Sequence, residues 1–402
     1  MSIAKLLTAS VVLAAAVSAQ SLTGRWDCTV TVNGNAIPFA MEFSGNGASV
    51  TGNFFNGEER VPSTGGRLEG SSVLLNFDQY ANRLEAAFKD GGLEGRYGRD
   101  GRWYPFRAHP AVAAPAASSE GVPNIDGLWE IPTKSAKGES AWHFIVRQKG
   151  AEVSASILRV DGDTGALTGS WRDGKFVLSH FSGARPNLLE ITPAANGTLS
   201  IVQNGRTSLV ALRSASARAQ GLGEPTDPSQ HTGVKDPSQP LTFAFPDLNG
   251  RTVSLSDSRL RGKVVVVAIS GSWCPNCHDE APFLEELYRQ YRAQGLEVVA
   301  LSFEEAEQLK SLARLRAFIK RYEIDYTVLV PGEPGQLAEK LPQAENLNAW
   351  PTTFFLGRDG KVRGVHAGFA GRASGDFYTQ TKHEVTELLE RLLSETTRAA
   401  AR

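Results

Sequence analysis

Apolar and polar residues follow two different rhythms along this chain. In residues 26–32, 39–43, 73–77, 144–146 and 175–178, apolar and polar side chains alternate over short runs. A period of two places alternate side chains on opposite faces of a strand. Turn residues separate the runs at hairpin spacing. Examples are Asn33-Gly34-Asn35, Ser44-Gly45-Asn46-Gly47, Lys89-Asp90-Gly91-Gly92, Val160-Asp161-Gly162-Asp163 and Ala195-Asn196-Gly197-Thr198. The pattern predicts antiparallel β-meanders, each closing as a small barrel or sandwich.

The β-rich part repeats itself. Gly24-Arg25-Trp26-Asp27 returns as Gly127-Leu128-Trp129-Glu130, and Gly47-Ala48-Ser49-Val50 as Gly150-Ala151-Glu152-Val153. Val73, Leu74 and Phe77 align with Val177, Leu178 and Phe181, Asn82 and Glu85 with Asn187 and Glu190, and Arg107 with Arg213. The offset is nearly constant, which predicts an internal duplication with small loop insertions. Trp26, Trp103, Trp129 and Trp171 read as core residues. Cys28 shares a strand face with Trp26, and its counterpart in the second copy is the apolar Ile131, so it reads as a buried, inert thiol.

From Leu241 the rhythm changes. Residues 263–270 form an almost unbroken apolar run, as in a strand buried on both faces. Phe283, Leu284, Leu287, Tyr288 and Tyr291 then fall on one face at helical spacing. Strands are expected at 296–302, 326–330, 352–356 and 362–366, and helices at 305–321 and 382–394. Two Pro/Ala/Ser/Gly-rich stretches, 111–123 and 216–239, lack periodicity and read as linkers. The predicted organisation is a leader at 1–19, β-rich repeats at 20–110 and 124–215, and an α/β domain at 240–397.

Composition narrows the function. The chain has 402 residues, 41% of them hydrophobic, enough for several ordinary cores. Lys plus Arg is 42 against 43 for Asp plus Glu, which gives no electrostatic reason to expect nucleic acid or an anionic membrane surface. Lys5, the apolar run at 6–17 and the small residues Val17-Ser18-Ala19 read as a secretory signal cleaved after Ala19, the alternative being an uncleaved anchor. That places the protein in the periplasm, the cell envelope or outside the cell, where thiols are usually oxidised. Yet there are only three cysteines, one close pair and one single. Such usage suits a redox pair better than a structural framework.

The pair is Cys274-Pro275-Asn276-Cys277, placed between the buried run and the helix. A cysteine at a helix N-terminus faces unpaired N–H groups and the positive end of the dipole, which favour its thiolate. A second cysteine one turn on can close a disulfide with little backbone movement. Cys274 is therefore the expected nucleophile and Cys277 the resolving thiol.

Trp273-Cys274-x-x-Cys277-x-x-Glu280-x-Pro282 resembles the active site of bacterial exported thioredoxin-like reductases of the TlpA/ResA type. Trp350-Pro351-Thr352-Thr353-Phe354-Phe355, followed by Asp359-Gly360, resembles their second signature. The resemblance covers only the α/β domain and implies a thioredoxin-like fold there. It implies that Pro351 is cis, that Glu280 helps deprotonate the thiols, and that Trp273, Pro275, Asn276, Trp350, Pro351 and Thr352 bind substrate. It further implies client proteins carrying disulfides or dithiols, an upstream redox partner protein that is soluble or membrane-bound, and no cofactor or metal. Two departures stand out. Thioredoxins carry a buried acid six residues before the first cysteine, where this chain has Ala268. The Pro275-Asn276 dipeptide bears on redox poise, so reduction and oxidation both stay open.

Other chemistries compete for the same residues. Cys274-Pro275-Asn276-Cys277-His278 has the c-type haem attachment pattern. A peroxiredoxin would attack peroxide with a single cysteine held by Thr and Arg. Zinc would need the adjacent Cys277 and His278 to ligate one ion. A non-enzymatic reading makes the β units a partner-binding module with a secondary redox domain.

Overall fold

The structure is a computed structural model describing residues 21–112 and 118–395. The expected leader at 1–19 and part of the linker at 111–123 lie outside the described residues. Among the described residues, no helix is long and apolar enough to cross a membrane.

The β-rich part forms two separate up-and-down barrels. In the first, strands from Gly24–Val32 to Arg102–Pro110 follow one another round the sheet, and the first pairs with the last. The remaining gap is bridged where Leu68 N–H donates to Gly47 O. In the second, the strands run from Gly127–Pro132 to Thr207–Ala211, and paired bonds between Glu130 and Leu212 bring the ends together. Inward residues such as Trp26, Phe43, Phe54 and Phe77 fill the first core, and Trp129, Phe144, Phe176 and Ile201 the second. Each barrel's Trp donates its indole N–H to a carbonyl four residues back, Trp26 to Leu22 and Trp129 to Ile125. Trp103 and Trp171 are only half-buried. Cys28 is buried with a free thiol.

The barrels are joined through residues 179–185. Phe181 leaves the second barrel and enters the mouth of the first, its ring 4.8 Å from Phe39, 5.3 Å from Tyr97 and 5.4 Å from Phe54. Tyr97 Oη donates to Gly183 O at 2.9 Å and Ser179 Oγ to Pro38 O at 2.6 Å.

The C-terminal domain has a five-stranded sheet. Its main elements are β1 (Val264–Ser270), α1 (Pro275–Tyr291), β2 (Leu296–Ser302), α2 (Ala313–Arg321), β3 (Thr327–Leu329), β4 (Thr352–Leu356), β5 (Val362–Ala367) and α3 (Asp376–Ser394). The order across the sheet is β3-β2-β1-β4-β5, with β1, β2 and β3 parallel and β4 and β5 antiparallel to their neighbours. β1 is wholly buried, which is why it reads as an unbroken apolar run. The expected helix at 305–321 is split. A short turn, Ala306–Leu309, ends before α2, and Leu312 between them has φ 54°. The stretch at 216–239 is not the free linker expected from its composition. His231 and Thr232 are buried, His231 Nε2 is 2.7 Å from Asn348 Oδ1, and Gly233–Val234 pairs with Ala344–Glu345. Polar side chains bonding the domain surface hold it without apolar periodicity.

Candidate active site

Strand β1 delivers the chain to the site and Gly271 lets it turn. A Cβ at 271 would lie 2.4 Å from Trp273 Nε1 and 2.8 Å from Phe303 O. Cys274 is the N-cap of α1, with extended backbone, and its Sγ accepts the Cys277 N–H at 3.3 Å. Pro275 opens the helix, where its missing N–H is not needed. Cys277 lies one turn on, and both cysteines are free thiols. Burial pushes the Cys277 thiol well up, reinforced by Cys274 and the nearby Glu280 charge. Helix α1 runs on through Pro282.

Glu280 follows Cys277 by three residues, on the same helix face. It is buried and accepts a 2.7 Å hydrogen bond from Thr353 Oγ1 on β4. Burial raises its pKa to about 7, against the lowering effect of Thr353. The carboxyl can therefore gain or lose a proton near neutrality beside a thiol that must lose one. At the thioredoxin acid position, Ala268 is fully buried in β1.

His278 is structural. Nε2 lies 2.9 Å from Ser272 O, which can only accept, so Nε2 carries the proton and Nδ1 accepts from Tyr322 Oη at 3.0 Å. Burial lowers its pKa to about 3, so the ring is neutral. With both nitrogens engaged, neither is free to ligate a haem iron. Among the described residues, no cluster of His, Cys, Asp or Glu is arranged to hold a metal.

A buried ion pair that no sequence motif announces lies beneath the turn. Glu304 and Arg314 meet at 3.0 Å with neither side chain exposed. Glu304 also accepts from Ser272 N–H at 2.8 Å, Ser272 Oγ at 2.6 Å and Ser302 Oγ at 2.8 Å. Arg314 Nε donates back to Ser272 Oγ at 2.8 Å. This network fixes the turn before Cys274. Its residues stand far apart in sequence and match no motif, so only an unusual charge following an apolar strand could have hinted at them.

The second signature lies opposite. The Trp350–Pro351 bond is cis. Trp350 packs against Trp273 at 5.2 Å and Phe303 at 5.7 Å, and the Trp273 indole donates to Phe303 O. Thr352 does not offer its side chain to a substrate as expected. It is fully buried, because its hydroxyl turns inward to Ala349 O at 2.9 Å.

Both barrels reach this site. Asp161, in the Val160-Asp161-Gly162-Asp163 turn, accepts the Trp350 N–H on its carboxylate at 3.0 Å. Its carbonyl accepts from Asn276 Nδ2 at 2.8 Å and Phe369 N–H at 3.2 Å, and Lys137 pairs with its side chain. Gly162 forms a parallel bridge with Phe369. Arg185 donates to Asp279 Oδ2 on α1 at 2.7 Å and to Asp163 O at 2.9 Å. Tyr80 of the first barrel packs on His278 at 4.9 Å. Gly371 faces the same turn, and a Cβ there would lie 2.8 Å from Asp163 Oδ2. Cys274 is only 3% exposed. The sequence predicts a hairpin turn here, but hairpin spacing says nothing about where its tip lands.

A dithiol at the start of a helix, on the central strand of such a sheet and beside a cis-proline loop, defines a thioredoxin-fold thiol–disulfide oxidoreductase domain. A family model described as the AhpC/TSA family matches residues 238–365. A thiol-disulfide oxidoreductase ResA of Bacillus cereus is 32% identical over 120 residues, 30% of this chain and 62% of its own length. Thioredoxin-like protein YneN of Bacillus subtilis (strain 168) is 30% identical over 161 residues, 40% of this chain and 82% of its own. A thioredoxin-family thiol:disulfide interchange protein from Chlorobium tepidum TLS is 21% identical, over 39% of this chain and 97% of that one, with a TM-score of 0.31. Through its C-terminal domain the chain belongs to the thioredoxin-like thiol–disulfide oxidoreductases of the ResA and YneN type. These matches fall in the C-terminal part of the chain, and the chain spans less than two thirds of the ResA relative's length.

Proposed function

We propose that the protein is an exported thiol–disulfide oxidoreductase that reduces disulfides of partner proteins, with its leader at 1–19, barrel units at 20–110 and 124–215, and redox domain at 240–397. The carrying observation is the Cys274 thiol at the mouth of α1, bonded by the Cys277 N–H, with the buried Glu280 near Cys277. The Cys274 thiolate attacks one sulfur of the client disulfide, and the other sulfur leaves as a thiolate. Glu280 takes the Cys277 proton. The Cys277 thiolate attacks Cys274 Sγ and releases the client's second thiolate. Two electrons pass to the client, and the Cys274–Cys277 disulfide is returned to the dithiol by an upstream protein dithiol. Trp273 and the Trp350-Pro351 segment flank the bound client, and no cofactor takes part. The matching indole hydrogen bonds of Trp26 and Trp129 support descent of the barrels from one duplicated unit.

The test is the reduction potential of the pair in the full chain, equilibrated against a dithiothreitol or glutathione buffer. A value near about −270 mV is expected for a reductase needing a dedicated electron supply. A value near about −120 mV means a disulfide donor and overturns the reducing direction. The AhpC/TSA match favours a second reading, a peroxidase in which Cys274 attacks peroxide. Rapid hydrogen peroxide consumption by the reduced protein, absent in Cys274→Ser, would select it.

A further inference from the structure

Two of the residues that the resemblance assigns to substrate binding already have a partner within the chain: the Trp350 N–H and the Asn276 amide both donate to Asp161. The Phe369 N–H, just beyond β5, also donates to Asp161 O, and Gly162 continues the contact as a bridge to Phe369. Residues 161 and 162 thus lie against the loop after β5 as a short piece of added strand. That is how an extended peptide adds to a sheet edge, through main-chain bonds with side-chain anchors. The fit is close. A Cβ at Gly162 would lie 2.1 Å from Phe369 O, and one at Gly368 would lie 2.0 Å from Val160 O. Arg185, bonded to Asp163 O and to Asp279 on α1, clamps the turn to the active-site helix.

We propose that residues 160–163 are a built-in occupant of the client groove, which holds the redox site closed against extended protein segments until a client displaces them. The proposal rests on the oxidoreductase reading above. A client must take over the donors that Asp161 now occupies, so only the displaced fraction of molecules is competent for protein exchange. A small disulfide needs none of those donors, so its turnover does not depend on their being vacated. A cavity of about 230 Å³ between the barrels and the redox domain is lined by Trp273 and Pro275, the residues flanking Cys274.

The test compares two substrates on the full-length dithiol protein, insulin and hydroxyethyl disulfide. Asp161→Ala removes the carboxylate from the Trp350 N–H, and Gly162→Ala loosens the same turn without touching a charge. Each variant is expected to speed insulin reduction by about ten-fold or more and to change hydroxyethyl disulfide turnover by less than about two-fold. Unchanged insulin rates in both variants, with small-disulfide turnover intact, overturn the closure and leave the oxidoreductase reading standing. Failure of the unsubstituted protein on both substrates overturns both. Should either variant fail to fold, Cys277→Ser decides. A cysteine peptide activated as its thionitrobenzoate disulfide is trapped on Cys274 with release of thionitrobenzoate, and hydrogen exchange is then measured at residues 160–163. Faster exchange in the trapped complex supports displacement, and unchanged protection overturns it.

Discussion

Glu280 occupies a place where a carboxylate is costly, and its effects on stability and activity oppose each other. Burial raises its pKa to about 7 from the ordinary 4.5. Between those values the folded chain binds a proton that the unfolded chain has released. Stability from this group is therefore full below about pH 4.5 and is lost as pH rises to about 7. Glu280→Gln removes that dependence. It is expected to be more stable than the unsubstituted protein at pH 8 by ~1–3 kcal/mol, and to lose the advantage towards pH 5. Denaturant melts at both values check this. Without its proton acceptor, Cys277 should resolve mixed disulfides about 10²-fold more slowly, and quenched-flow experiments should show the Cys274–client adduct accumulating.

At the scale of elements, the turn from β1 to α1 depends on a pair at the ends of two others, Glu304 beyond β2 and Arg314 in α2. Removing one partner of a fully buried pair strands the other charge. Arg314→Met is expected to cost about 3–5 kcal/mol by calorimetry. The sequence shows the elements well where a single rhythm governs them. The buried run of β1 and the amphipathic face of α1 emerge as a strand and a helix, and the alternating runs as barrel strands, several of them longer than the runs themselves. It shows the dithiol and the cis-proline segment because both are short motifs. It shows neither the Glu304–Arg314 network nor the break at Leu312, because these follow from where separate elements meet. The stretch at 216–239 fails for the same reason. Its order comes from bonds to Asn346 and Asn348, more than a hundred residues further on.

At the scale of the whole molecule, one segment couples three units. Residues 179–185 seat Phe181 in the first barrel and carry Arg185 from the second to α1. Phe181→Ala is expected to cost about 3–5 kcal/mol as a large-to-small change in a packed aromatic cluster. Gly371 carries a different consequence. Its φ of −74° is one that any residue adopts, so its own backbone does not require glycine. What crowds a side chain there is first Asp163 Oδ2 of the second barrel, 2.8 Å from such a Cβ, and then Asp279 Oδ2 of α1 at 3.2 Å. Position 371 is thus a notch cut into the redox domain to the outline of its neighbour. The two domains cannot drift independently: a methyl group at 371 calls for a smaller residue at 163, and a chain that shed its barrels would keep only the milder crowding by Asp279.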